Sequence, residues 1–249
     1  MLIALLLTIA AGLSTVLGSF VIFFVKKQKD GYLNVALGFS AGVMIFVSFA
    51  ELLKESIDNV GYLYAIIAFF AGMLLIYLID VLIPHSYEAE CPCDCNLKKK
   101  RDLKRCGIMV AIGITIHNFP EGIAVFFSSL ANIKTGMVIA LAIALHNIPE
   151  GIAIAMPIYY ATGSRRKAFW YSFLSGVAEP IGALIAFLFL RNFINDMILN
   201  LILAAVAGIM IFISFDELLP RAYNRENVHP TILGIFAGMA VMAISLYLL

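Results

Sequence analysis

Two short stretches of this chain carry side chains able to hold a metal ion, and both lie inside apolar runs. The first is TIHNFPEGIAVF, from Thr115; the second, ALHNIPEGIAIA from Ala144, says nearly the same thing again. On a helix advancing about 100° per residue, His117 and Glu121 lie roughly 40° apart on one face, and Asn118 lies about 60° to the far side of Glu121. The glutamate is thus flanked by an imidazole and an amide, and His146, Asn147 and Glu150 repeat the fan. Nitrogen and oxygen donors of this kind suit zinc, iron, manganese and cadmium. Two fans facing each other would offer imidazole, amide and carboxylate groups to a pair of adjacent cations, with the carboxylates free to bridge.

Each motif contains a proline. Pro120 and Pro149 have no N–H and release the carbonyls of Ile116 and Leu145 from their helical partners, so a break in each helix is expected. Backbone exposed in that way is tolerated within a membrane only where it lines a cavity or is buried in protein. Gly122 and Gly151 would let neighbouring helices come close at the same level. A further apolar run contains VAEPIG, which puts Glu179 directly before Pro180. An ionised side chain at the centre of a membrane helix costs roughly 2.5–3.5 kcal/mol on insertion scales. Bound divalent cations would offset that cost. Polar residues that merely glue helices together would account for either asparagine alone, but not for two full motifs and Glu179.

The elements that must position these residues are membrane helices. The chain is 62% hydrophobic and 13% charged, against roughly 45–50% apolar residues in an ordinary soluble domain. Apolar runs near residues 2–25, 32–53, 61–84, 106–130, 136–160, 168–190, 197–219 and 231–249 each approach the about 20 residues needed to cross a bilayer. The expected fold class is therefore all-α integral membrane, with eight transmembrane helices. Most connections are short, so residues 1–249 read as a single transmembrane domain. The first run has no basic residue before it and exceeds a signal-peptide core, so it counts as a membrane helix. Nothing points to nucleic acid as a partner; the lipid bilayer and divalent metal ions are the expected ones, with a homodimer kept open.

Basic residues give an orientation. Alternate connections hold Lys26, Lys27 and Lys29; Lys98, Lys99, Lys100, Arg101, Lys104 and Arg105; Arg165, Arg166 and Lys167; and Arg221 and Arg225. The other connections hold only Lys54, Lys134 and Arg191. By the positive-inside rule the first set is cytoplasmic, which puts both termini outside and the longest connection, 85–105, inside the cell. The chain also repeats itself. AGVMIFVSFAELL from Ala41 matches AGIMIFISFDELL from Ala207, and FAGM from Phe70 recurs from Phe236 with the same shift. Corresponding helices are an odd number of spans apart, so the second copy crosses in the opposite direction. The expected arrangement is 3+2+3 with an inverted repeat, a pattern known from secondary transporters that bind their cargo between two halves near the midplane.

Taken together, HNFPEG and HNIPEG on consecutive helices, the AEP on the next, eight spans, outward termini and the long connection after helix three resemble the ZIP (Zrt/Irt-like) family of divalent metal transporters, especially its bacterial zinc-uptake branch. The resemblance spans essentially the whole chain. It implies a binuclear mid-membrane site, with His117, Glu121, His146 and Glu150 at one metal position and Asn118, Glu121, Asn147, Glu150 and Glu179 at the other. It also implies import of Zn²⁺ into the cytoplasm across the cell membrane, with Fe²⁺, Mn²⁺ and Cd²⁺ as further cargoes and no catalytic cofactor. Met44 lies where some members carry a sulfur ligand, although Met210 fills the matching repeat position and a core methionine is the commoner role.

Other acidic residues fall near the helix ends. Glu51 is a candidate entrance ligand, and its repeat mate Glu217, with Asp216 beside it, a candidate at the exit; ordinary interfacial carboxylates explain them equally well, and Asp80 belongs in the same class. The connection HSYEAECPCDCN holds Cys91, Cys93 and Cys95 where the family often carries histidines. Thiols in the cytoplasm stay reduced, so these read as soft metal ligands of a sensor or collector, with lipidation as the rival. The rival functions are a membrane-embedded metalloenzyme and a non-transporting metal sensor. No H-E-x-x-H is present, and four histidines are too few for the boxes of a histidine-rich oxidase. The chain therefore reads as a transporter and not an enzyme.

Overall fold

The computed structural model describes residues 1–25, 29–82, 95–190, 195–223 and 228–248, and among these there is helix but no strand. Eight helices are long and apolar enough to cross a membrane. They are α1 (Leu2–Phe24), α2 (Asp30–Val60), α3 (Tyr62–Leu82), α4 (Lys100–Leu130), α5 (Gly136–Thr162), α6 (Arg165–Phe189), α7 (Asp196–Ala222) and α8 (His229–Leu248).

Two helices outrun their apolar stretches. The helix containing α4 begins at Cys95, so the second part of the connection expected over 85–105 is helical. Its sequence, NLKKKRDLKR, consists largely of good helix formers that are too polar to register as a membrane run. Helix α2 likewise continues through KESIDNV and stops at Gly61, whose φ of 85° lies in the region where a side chain is strained.

The two motif prolines do not break their helices. Pro120 sits inside Cys95–Ala131 and Pro149 inside Ile133–Thr162. A proline removes one helical hydrogen bond and crowds the preceding turn, but here both helices are clamped by neighbours at that level, as described below. The expected break does occur in α6. The helix ends at Gly176, turns at Val177 and resumes as Ala178–Ile185. Glu179 and Pro180 fall in the first turn of the new segment, where a missing N–H costs nothing.

Packing sorts the helices into pairs. The most extensive contacts join α2 to α8, α3 to α7, α4 to α5, α1 to α5 and α6 to α4. Glycines set how close they come. A Cβ on Gly72 of α3 would collide with the Ala205 carbonyl of α7, and one on Gly238 of α8 with the Phe39 carbonyl of α2. These are the two glycines of the repeated FAGM. The repeated SFAELL and SFDELL also adopt the same irregularity, a π-helical turn over Ser48–Leu53 in α2 and over Ser214–Leu218 in α7. Such turns often mark functional positions within helices. The main apolar cluster, with Leu37, Met44, Ile154, Met156, Ile158 and Met210 fully buried, joins α2, α5 and α7.

Candidate metal centre

Helices α4, α5 and α6 bring the seven residues with metal-binding side chains into the interior. His117, Asn118, Glu121, His146, Asn147, Glu150 and Glu179 are all buried, none more than 2% exposed. The fans interlock across the α4–α5 contact. His117 Nε2 lies 2.8 Å from Glu150 Oε1, and His146 Nε2 lies 3.1 Å from Glu121 Oε1. Each imidazole therefore meets the carboxylate of the other motif, not that of its own. The 40° separation within one helix had suggested the same-helix partner; close helix packing supplies a nearer one.

The asparagines turn outward from this pair of contacts toward α6 and α1. Asn147 Nδ2 donates to Glu179 Oε1 and also to the Ala11 carbonyl, 3.0 Å away. Asn118 Nδ2 donates to the Ser175 carbonyl at 3.2 Å. Glu179 is thus tied to the Asn147 side of the centre. What brings these backbones together is again glycine: a Cβ on Gly122 would strike the Glu179 carbonyl, and one on Gly151 the Thr15 carbonyl.

Every one of the seven keeps a buried polar atom without a hydrogen-bond partner: His117 Nδ1, Asn118 Oδ1, Glu121 Oε2, His146 Nδ1, Asn147 Oδ1, Glu150 Oε2 and Glu179 Oε2. A buried unpaired polar atom costs about 1–3 kcal/mol, and native interiors contain few of them. The oxygens among them are acceptors. Each imidazole also presents a lone pair at Nδ1 when its Nε2 donates to the carboxylate, the tautomer that this contact favours. A nest of unspent lone pairs, three of them on carboxylates, is chemically suited to a hard or borderline divalent cation, and zinc accepts this mixture of nitrogen and oxygen.

The remaining candidates lie elsewhere. Met44 is fully buried in the main apolar cluster, as is Met210. Glu51 sits half-buried in the π-helical turn of α2, its Oε2 unpartnered, within electrostatic reach of His146 and Glu121. Its repeat mate Glu217 is buried in the π-helical turn of α7, where Asp216 and Asp80 join it in a compact acidic group. Arginines occupy that group. Arg105 contacts Asp80 and lies 3.3 Å from Glu217 Oε1, while Arg221 lies 2.9 Å from Glu217 Oε2. Cys91 and Cys93 lie outside the described residues, and Cys95 opens the α4 helix.

Two further residues stand out in the structure. Arg105, which in the sequence serves to orient the chain, joins Arg221 in pairing with the acidic group of α3 and α7. Thr15, fully buried beside Gly151, had drawn no attention at all. A sequence signal for it exists: GLSTVLG of α1 and GVAEPIG of α6 share a glycine frame in which Thr15 takes the place of Glu179.

Comparison with known proteins agrees with this chemistry. The family profile described as ZIP Zinc transporter matches residues 84–246. The chain is similar over nearly its full length to bacterial proteins named zinc transporter ZupT. That of Oceanobacillus iheyensis is 51% identical, covering 100% of this chain and 98% of its relative. That of Lysinibacillus sphaericus is 52% identical over 98% and 96% of the two chains. That of Clostridium perfringens is 48% identical over 99% and 96%. These are named as transporters, not enzymes. A chain whose described residues include eight membrane-capable helices and no strand, with the paired histidine and glutamate motif and such relatives, belongs to the ZIP family of zinc transporters.

Proposed function

We propose that this protein imports Zn²⁺ into the cytoplasm through a binuclear centre at mid-membrane. The observation that carries the reading is the set of unspent lone pairs, one on each of the seven buried side chains. In this reading His117, Glu121, His146 and Glu150 hold one cation, and Asn118, Glu121, Asn147, Glu150 and Glu179 hold the other. Zn²⁺ is the principal cargo. Fe²⁺, Mn²⁺ and Cd²⁺ can use the same donors.

Both termini lie outside the cell in this proposal, as the basic residues of alternate connections require. The helices form a 3+2+3 inverted repeat in which α1, α2 and α3 correspond to α6, α7 and α8, and α4 corresponds to α5. The observed pairings support it, because exchanging the halves turns α2–α8 into α7–α3 and α1–α5 into α6–α4, all of them present. The paired π-helical turns and the FAGM glycines support it too. Helices α1, α4, α5 and α6 then make a unit carrying the whole centre, and α2, α3, α7 and α8 a frame. Displacement of one against the other would expose the centre alternately to each side. Apolar side chains exposed along α3 and α8 give the frame its lipid-facing surface.

Zinc uptake into vesicles containing the purified protein tests this proposal, with Fe²⁺, Mn²⁺, Cd²⁺ and Mg²⁺ run in parallel. Saturable Zn²⁺ uptake is expected. No uptake above empty vesicles for any ion would refute transport and leave a metal-binding sensor as the reading.

A further inference from the structure

The two sides of the metal centre are built alike to a degree that exposes one difference. Asn147 donates to the Ala11 carbonyl of α1, and Asn118 donates to the Ser175 carbonyl of α6. A Cβ on Gly151 would strike the Thr15 carbonyl, and one on Gly122 the Glu179 carbonyl. A Cβ on Gly18 would meet the Ile148 carbonyl, and one on Gly182 the Phe119 carbonyl. Gly12 and Gly176 face each other's carbonyls; a Cβ on Gly12 would come within 3.2 Å of Glu179 Cβ, and one on Gly176 within 3.3 Å of Thr15 Cβ. One constant shift along the sequence relates every α1 residue here to its α6 counterpart. Under that shift Thr15 is the counterpart of Glu179.

The Thr15 hydroxyl itself is unusual. Thr8, Thr115 and Thr162 spend their hydroxyls on the carbonyl four residues back, the common fate of threonine within a helix. Thr15 is 0% exposed and its Oγ1 has no partner. It thus joins the set of unspent polar atoms around the centre. On the opposite side, Glu179 offers a carboxylate oxygen in the corresponding place and takes a hydrogen bond from Asn147.

We propose that Thr15 is the α1 counterpart of Glu179 in the metal centre, a neutral oxygen that completes the second cation's ligand set on the Asn118 side, opposite the Glu179 carboxylate on the Asn147 side. The inference rests on the reading of Glu179 as a zinc ligand. It assigns a specificity role to a residue that carries no charge: a hydroxyl at position 15 keeps the carboxylates of the centre at Glu121, Glu150 and Glu179.

Exchange of the two side chains tests this directly. Zn²⁺ binding is measured on the purified full-length protein by competition with a chromophoric chelator, which separates binding from flux. Glu179→Thr should weaken the second Zn²⁺ by at least about tenfold, the scale on which tuning groups act in metal sites. Adding Thr15→Glu to that variant should recover most of the loss, because Asn118 then stands to the new carboxylate as Asn147 stands to Glu179. Loss without recovery, in a variant that still binds its first Zn²⁺, overturns the inference alone. No loss in Glu179→Thr removes the ligand role of Glu179 and the inference with it. Should the exchanged protein fail to fold, Thr15→Ser and Thr15→Val decide. The hydroxyl-bearing variant should match the unmodified protein, and the isosteric valine should weaken the second Zn²⁺ by about fivefold, the worth of one neutral polar contact; equal affinities in both would overturn the proposal.

Discussion

Two groups of buried carboxylates sit in this membrane protein, and they are treated in opposite ways. At the centre, Glu121, Glu150 and Glu179 face imidazoles and an amide, and each keeps an oxygen unpartnered. At the α3–α7 level, Asp80 and Glu217 are met by the guanidinium groups of Arg105 and Arg221. The first group is short of positive charge and the second supplies its own. Acidic residues alone therefore do not mark a cation site; what separates the two is whether protein cations have already taken the lone pairs. The repeat mates Glu51 and Glu217 show the same contrast. Both sit in π-helical turns and each keeps one oxygen without a hydrogen-bond partner, but among the described residues only Glu217 is ion-paired with arginines, Arg105 at Oε1 and Arg221 at Oε2.

The largest effect should come from the centre. Glu121→Ala and Glu150→Ala are each expected to abolish Zn²⁺ uptake, because in the proposed centre each carboxylate serves both cations. Uptake assayed in vesicles of equal protein content checks this. Residual uptake near that of the unmodified protein would mean that the central carboxylates resemble the α3–α7 group after all.

Asn118→Ala and Asn147→Ala should be milder, leaving uptake reduced on the order of tenfold, since the proposed histidine-bearing position would keep its ligands. Asn147→Ala should be the worse of the two because Asn147 alone holds Glu179. Asparagine variants as damaging as the glutamate variants would disprove the sharing of carboxylates between cations.

At the α3–α7 group the effect should fall on stability. Arg105→Gln leaves Asp80 and Glu217 less compensated. Breaking a fully buried pair costs about 3–5 kcal/mol, and roughly 2 kcal/mol is expected where the arginine keeps some contact with water. Arg105 is 19% exposed. Thermal unfolding in detergent should show a lower midpoint, with Zn²⁺ affinity at the centre unchanged. A change in that affinity without loss of stability would place the α3–α7 group on the binding path.

The smallest effect is expected from the connection before α4. Changing Cys91, Cys93 and Cys95 to serine should leave uptake intact while altering its regulation or apparent metal affinity. Loss of uptake in a correctly inserted variant would put the thiols on the pathway.

How much of this the sequence disclosed depends on how local each signal was. The paired motif was legible because histidine, asparagine and glutamate within one helical turn are costly in an apolar run, and Glu179 stood out for the same reason. Eight helices followed from hydropathy. Their ends did not, because the segment from Cys95 and the segment KESIDNV form helix without being apolar. The prolines misled, since a helix held by neighbours on both sides tolerates one missing hydrogen bond. The crossed pairing of His117 with Glu150 depends on how two helices are set against each other, which no single-helix projection contains. Thr15 was hidden for the plainest reason: a threonine in a membrane helix costs little, and only its position against Gly151 and Gly176 sets it apart.

X-ray absorption at the zinc edge tests the central claim most directly, on protein in which Cys91, Cys93 and Cys95 are serine and two equivalents of Zn²⁺ are bound. The account predicts nitrogen and oxygen neighbours at about 2.0–2.2 Å with no sulfur shell near 2.3 Å, and an imidazole signature that disappears in His117→Ala/His146→Ala. An unchanged imidazole signature in that double variant, or a sulfur shell from Met44 or Cys106, would contradict it.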